Sequence, residues 1–455
     1  MNVAASGHRH RRLGLRGKLV LCAAFAAVSL LFAEAALRLL MPRGVLLSPT
    51  AIEVFAERAK VESEMLRADP EFGHVPVLDG KAYDRFGLLR GWGTRSGTAD
   101  RGPDVTRFLF LGDSVTRRAT VLEPLRELWR GPAAEFLNAG VESWNPIQEI
   151  EGYFRHQQAL QPDHVVLSLH HNDLSESTVA LLHEGRFTLC NPGSLVDCSP
   201  TWYGRSMLYQ LYVQARHTDR LRPKHYTFRA AEVEAALVRL RDDLRQRGKQ
   251  LTILHLPVFS ALAAAPEHER RSRTMQTEML QRLGVAAIDL QPVVEEMVKF
   301  GLPVRATPTD VHHPDRLCGE LMAQQAAATM FAAPSVGATA TPRHVVAGSD
   351  QTIEIDAGPA AAGRRFVVLG SRSGMTPVTT LPQGRVALAP DDHLLRTVAS
   401  PVAGTLDAAG RASCRLGTPA GAAGAVTFHV VAVYDAAGAR FEHLGWPMAM
   451  FVAPQ

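Results

Sequence analysis

Five short apolar runs, spaced along the chain with helical segments between them, constrain the fold most. They are "RFLFL" (107–111), "AEFLNA" (134–139), "HVVLSL" (164–169), "LTILHL" (251–256) and "VAAIDL" (285–290). Apolar residues follow one another in these runs rather than alternating with polar ones, so both faces of each strand need cover. That is the signature of a mostly parallel sheet with helices on both sides. One intervening segment, "AAEVEAALVRLRDDLRQRG", keeps Val233, Ala236, Leu237, Leu240 and Leu244 on a single stripe, and Gly248 ends it. Ligands of such sheets bind beyond the carboxyl ends of the strands. Motifs can therefore be judged by where they fall.

The chain has 455 residues, enough for two or three domains, and its 46% apolar and 21% charged residues are ordinary for a globular protein. Its net charge of +4 owes much to residues 1–18, a basic tail with Arg9, Arg11, Arg12, Arg16 and Lys18 and no acid. No basic-aromatic pattern follows, so nucleic acid is not an expected partner.

Residues 19–41, "LVLCAAFAAVSLLFAEAALRLLM", form an apolar run whose only charges are Glu34 and Arg38. Four residues apart on a helix, these two share a face and can pair. A helix of this length spans the roughly 30 Å hydrocarbon core. Positive charge ahead of it predicts a cytoplasmic N-terminus and an exported remainder. The expectation is an inner-membrane anchor with a periplasmic body. The alternative is a cleaved signal segment, with core Leu19–Ala33 and a cut at Ala33-Glu34-Ala35, giving a secreted protein. Apolar residues continue past that cut, which favours the anchor.

Cys22 lies inside the apolar run. Cys190 and Cys198 bracket "NPGSLVD", a Pro-Gly turn, and could close a small loop as a disulfide in an oxidising compartment, or stay as two thiols. Cys318 and Cys414 fall in different expected domains. Those domains are an N-terminal extension over 42–100, helical through "AIEVFAERAKVESEMLRA" (51–68), then an α/β domain over 101–333 and a β-sandwich over 340–455. In the last of these, Val426, Phe428 and Val430 alternate with Thr427 and His429, a half-buried strand pattern. It holds no reactive constellation and reads as a packing or adhesion module.

The first strand runs into Gly112, Asp113 and Ser114. Ser114 is either a helix N-cap or a nucleophile. Later strands also end in polar clusters: Asn138 to Ser143, His170 to Asp173, and, before a helix near Cys318, Asp310 and His313. A serine nucleophile needs a base, an acid to orient that base, and donors for an oxyanion. Ser114, His313 and Asp310 supply the first three. The Ser114 amide, an amide near Ser143 and the Asn172 side chain supply the donors.

The blocks "FLGDSVT", "NAGVES", "LSLHHNDL" and "DVHHP" resemble, in order, the four blocks of the SGNH (GDSL-type) hydrolases. The resemblance covers about residues 80–332. "DRFGLLRG" is also similar to a segment upstream of the first block in membrane-anchored bacterial members. It implies a flavodoxin-like three-layer α/β/α fold and acyl-ester hydrolysis with no metal or other cofactor. By position it makes Ser114 the nucleophile, Asn172 an oxyanion donor, and Asp310 and His313 the Asp-x-x-His block. The family's oxyanion glycine falls at Ser143. His170 and Cys318 stand where the family has two further glycines.

The spacing from Asp310 and the proline that follows favour His313 over His312 as the base. Asp113 and Asp173 are expected to tie their own loops to backbone amides. The pairs His170-His171 and His312-His313, with Asp310, also offer zinc ligands, but one histidine of each pair has a simpler place. The expected function is thus an exported serine esterase acting on acyl esters, O-acetylated glycans among them. An O-acyltransferase acting on an envelope polysaccharide and an inactive binding or scaffold protein are the alternatives.

Overall fold

The computed structural model describes residues 14–40, 63–69, 71–91, 102–174, 179–183, 186–190, 206–209, 230–331, 334–418 and 420–453. The chain divides into two units, residues 1–75 with 178–226 and residues 76–177 with 227–455.

In the first unit the apolar run forms one helix, Leu15–Leu40, long and apolar enough to cross a membrane. A signal segment would meet the same description. Glu34 and Arg38 pair across one turn at 2.7 Å. The Glu34 carboxylate also accepts hydrogen bonds from Ser206 Oγ and the amides of Met207 and Leu208, at 2.9–3.0 Å. Most of the helix expected over 51–68 lies outside the described residues. Within them, residues 63–65 are helical, but Leu66–Asp69 is a strand, paired with the strand Gly73–Pro76. Cross-strand pairing outcompetes the local helical pattern there. Cys198 lies outside the described residues, and the Cys190–Cys198 pairing with it. Cys22, Cys318 and Cys414 are free thiols.

In the second unit the five apolar runs become β1 (Thr106–Leu111), β2 (Ala134–Asn138), β3 (His164–Leu169), β4 (Gln250–His255) and β5 (Ala286–Asp289). They form one parallel sheet in the order β2-β1-β3-β4-β5. Alternate residues serve opposite faces. Leu109, Leu111, Leu137, Val165 and Ile253 pack with helices Pro146–Gly152, Ala230–Gln246 and Glu267–Leu283. Phe108, Phe110, Phe136, Val166 and Ile288 pack with Leu122–Leu128, Gln291–Lys299 and Arg316–Met330. At the amino end of the sheet, neighbours in register, Arg107 and Glu135, form a buried ion pair at 2.7 Å. Chain order reverses between β1 and β3, and the crevice beyond their carboxyl ends is where such sheets take ligands.

Residues 337–453 form two larger sheets. The three-stranded one joins Gly337–Thr341, Asp350–Asp356 and Arg411–Gly417. The six-stranded one centres on Val426–Tyr434 and Arg365–Ser371. Between them lie Ile353, Ile355, Leu416, Phe366, Val368, Val431 and Val433. The opposite face of the six-stranded sheet, through Val367, Leu369, Phe428, Val430 and Phe451, shares one apolar cluster with Leu321, Met322 and Phe331 of the α/β part.

This corrects the half-buried reading of strand 426–434, in which Thr427 and His429 are as buried as their apolar neighbours. The strand is central and covered on both sides, with His429 lying against His393 of helix Asp392–Ala399. Glu320 fastens the two parts together. Wholly buried, it pairs with Arg316 and accepts from the Met375 and Thr376 amides and the Thr376 hydroxyl at 2.7–3.1 Å. Gly374 holds a φ of +104°, and a Cβ there would stand 2.1 Å from a Glu320 oxygen.

Candidate active site

Four chain segments meet at the carboxyl edge of the sheet. After β1, the turn Ser114–Arg117 starts with Asp113 as its cap, whose Oδ1 accepts from the Val115 amide at 2.9 Å. The cap is therefore Asp113, which leaves the Ser114 hydroxyl for another partner. After β2, Asn138 ties its segment to this turn, donating from Nδ2 to Thr116 O at 2.9 Å. Gly140 approaches so closely that a Cβ would lie 2.4 Å from the Arg117 nitrogen, so only glycine fits. The upstream segment "DRFGLLRG" docks on the same place. Leu89 N donates to Asn138 O at 2.8 Å, and the Tyr83 hydroxyl to Gly140 O at 3.1 Å.

The Ser114 hydroxyl lies 2.8 Å from His313 Nε2. The other ring nitrogen, Nδ1, lies 2.7 and 2.9 Å from the two oxygens of Asp310. Asp310 also accepts the backbone amides of His312 and His313 at 3.2 Å, and Arg118 pairs with it at 3.2 Å. Burial raises the Asp310 pKa, but the His313 ring, the His312 amide and Arg118 outweigh it and hold the carboxyl below its usual range. An ionised carboxylate only accepts. Nδ1 of His313 therefore carries the proton, and Nε2 turns its lone pair to the serine hydroxyl. The arrangement can take a proton from Ser114.

Ser143 lies in the turn between β2 and the helix Pro146–Gly152, with a φ of +60°. This is the left-handed conformation glycine favours and other residues rarely adopt. After β3, Asp173 accepts the His170 amide at 2.6 Å, tying its own loop together as expected of it. His170 Nδ1 lies 2.7 Å from Asn172 Oδ1. His312 stands outside the hydrogen-bonded chain, with its ring 5.8 Å from those of both His170 and His171. Cys318 is buried in the apolar cluster, and burial pushes its thiol pKa up. It serves as a small core side chain.

Two features had no counterpart in the sequence reading. Arg118, second of a Lys-free basic pair, was legible only once Asp310 stood beside it. The other is a group of buried acids behind the serine. Glu149 has neither carboxyl oxygen hydrogen-bonded among the described residues. Burial first, then Asp173 and Asp113, push its pKa well up. Burial and Asp113 raise Asp173, and burial raises Asp113 to about 6. The signal was Glu149 set among Ile147, Ile150 and Gly152 in a helix whose other residues are mostly apolar or capping.

No protein-family model matches the chain, and no curated protein matches it. Several solved structures resemble about half of it. Axe2, an acetylxylan esterase from Geobacillus stearothermophilus, is 14% identical over 49% of this chain and 93% of its own, with a TM-score of 0.33. LAE5, an alpha/beta hydrolase from the metagenome of Lake Arreo, Spain, is 14% identical over 51% and 97%, with a TM-score of 0.34. The acetyl xylan esterase AlAXEase is 14% identical over 50% and 100%, with a TM-score of 0.33. Likenesses this distant establish no activity. The fold and the site define an α/β protein with a serine, a histidine and an aspartate in hydrogen-bonded series at the sheet's carboxyl edge.

Proposed function

We propose that this chain is an exported serine esterase of the SGNH type, acting on acyl esters and among them O-acetylated carbohydrate. One observation carries the reading: the unbroken series from Ser114 Oγ through both ring nitrogens of His313 to Asp310, at 2.8 and 2.7 Å. The flavodoxin-like strand order supports it, as does the site's place at the reversal between β1 and β3. Residues 340–455 are the β-sandwich companion. The helix Leu15–Leu40 supports membrane attachment with the body exported.

In this reading His313 Nε2 takes the Ser114 proton as Oγ bonds to the acyl carbon. Asp310 stabilises the imidazolium that results. The Ser114 and Ser143 amides and the Asn172 side chain receive the oxyanion. His313 then protonates the leaving alkoxide, the carbon–oxygen bond breaks, and an acyl-serine remains. Water, losing its proton to His313, adds to that ester and releases the acid with Ser114 restored. No metal takes part in these steps.

The test is Ser114→Ala in the full chain. It should melt as the parent does, lose fluorophosphonate labelling, and lose at least about a thousandfold in acyl-ester turnover. Retained turnover in a folded Ser114→Ala protein refutes the reading. Product analysis with and without a glycan acceptor separates hydrolysis from acyl transfer.

A further inference from the structure

The structure divides the four histidines of the two pairs between two tasks. His313 is committed to Ser114 and Asp310. His170, His171 and His312 form a second group, with one ring nitrogen from each within 4.8 Å of the others. We propose that these three imidazoles are a binding site for a divalent transition ion, zinc being the expected occupant, set beside the serine and outside its proton relay.

The strongest observation is at His170. Its ring is buried, and Nε2 has no hydrogen-bond partner among the described residues. A buried ring nitrogen without a partner is costly unless something else occupies its lone pair. Its Nδ1 faces Asn172 Oδ1 at 2.7 Å. A carbonyl oxygen only accepts, so Nδ1 is the donor and Nε2 carries the lone pair. A ring that donates one nitrogen to a carbonyl and offers the other is arranged as metal-binding histidines are.

The backbone carrying the pair is braced from behind. Gln276 Nε2 donates to His170 O at 2.5 Å, Gln276 Oε1 meets His255 Nε2 at 3.1 Å, and the Ser272 hydroxyl donates to His171 O. Burial first, and then the other rings, lower the pKa values of His170 and His171, the latter to about 4. Neutral rings are the ligating form. Of the nearby charges, Arg273 is paired with Asp289, and the Glu269 and Arg305 charges act on His312 in opposite senses. Zinc holds tetrahedral nitrogens roughly 3.4 Å apart at bond lengths of about 2.0–2.1 Å. His312 is exposed and can turn to close the remaining gap. Three nitrogens leave one position open to solvent or another donor.

An ion on His170 Nε2 would hold the ring in its Nδ1–H form and so keep the Asn172 carbonyl turned toward it. The orientation of the Asn172 amide is thereby coupled to the ion.

The test uses the untagged full chain in detergent, stripped with a chelator. It is titrated with zinc by calorimetry, and with cobalt(II) to read the intense visible bands of a tetrahedral site. The expected result is one cluster-dependent equivalent. His312→Ala and His171→Ala, each shown folded by its melting curve, should each weaken it at least tenfold and abolish the cobalt bands. His313→Ala should change zinc affinity less than about threefold. Absence of binding, or binding that survives His312→Ala and His171→Ala, overturns the proposal. So does equal loss in His313→Ala, which would assign the ion to the Ser114 series instead.

Discussion

Ser143 occupies a backbone conformation that costs an L-residue about 1–2 kcal/mol, and its side chain has no role in the proposed chemistry, which uses only the amide. Ser143→Gly should therefore raise stability by about 1 kcal/mol in chemical denaturation, with ester turnover kept within about threefold. A fall in stability would mean that the serine side chain contributes something the backbone reading omits. Asp310 fixes the His313 ring by bonds to Nδ1. Asp310→Asn allows the opposite tautomer and should cost about a thousandfold or more in turnover with substrate KM little changed. At this scale the sequence brings candidate side chains forward but not their backbone conformations. Ser114 stands out by following β1 directly, whereas Asp310 and His313 come after the helix Gln291–Lys299 and stand out by their Asp-x-x-His spacing. The conformation of Ser143 was invisible, since nothing in "VESWN" announces a positive φ at a non-glycine residue.

At the scale of elements, the five strands were legible within a residue or so at each end, because strands covered on both faces leave unbroken apolar runs. What the runs conceal is polar burial. Arg107 and Glu135 look like the wet ends of two strands, yet both side chains are almost wholly buried against each other. Glu135→Ala removes the carboxylate that stands in register with the buried guanidinium and should cost about 3–5 kcal/mol. A loss under about 1 kcal/mol would show that water reaches Arg107. The helix Pro146–Gly152 hides a second case in Glu149. Its pKa and that of Asp173 are raised in the folded chain, so the native state holds more protons than the unfolded one above about pH 4. The corresponding stability is complete below the unfolded carboxyl pKa and is lost as pH rises toward the folded values. Glu149→Gln should consequently melt higher than the parent at pH 8, with the gap narrowing at pH 5. Parallel melting curves at both pH values would refute the buried-acid account.

For the molecule as a whole, the sequence suggests an α/β domain over 101–333 and a β-domain over 340–455. That division says nothing about what the β-sheet packs on. Phe428, Val430 and Phe451 complete an apolar cluster that also holds Leu321, Met322 and Phe331, and Glu320 finds its donors in residues 375 and 376. A chain cut after residue 333 should accordingly lose cooperative unfolding and bind a hydrophobic dye. Glu320→Ala should cost about 3 kcal/mol or more in the intact chain, by stranding buried amides. A well-folded, soluble truncation would contradict the shared core.

The capping of the first turn by Asp113 has an evolutionary reach. Because the backbone borrows nothing from the neighbouring hydroxyl, a lineage can discard its reactive oxygen without disturbing the scaffold around it. Such a descendant would keep the crevice while losing the proposed nucleophile, so a receptor would stand one codon away from the esterase proposed above.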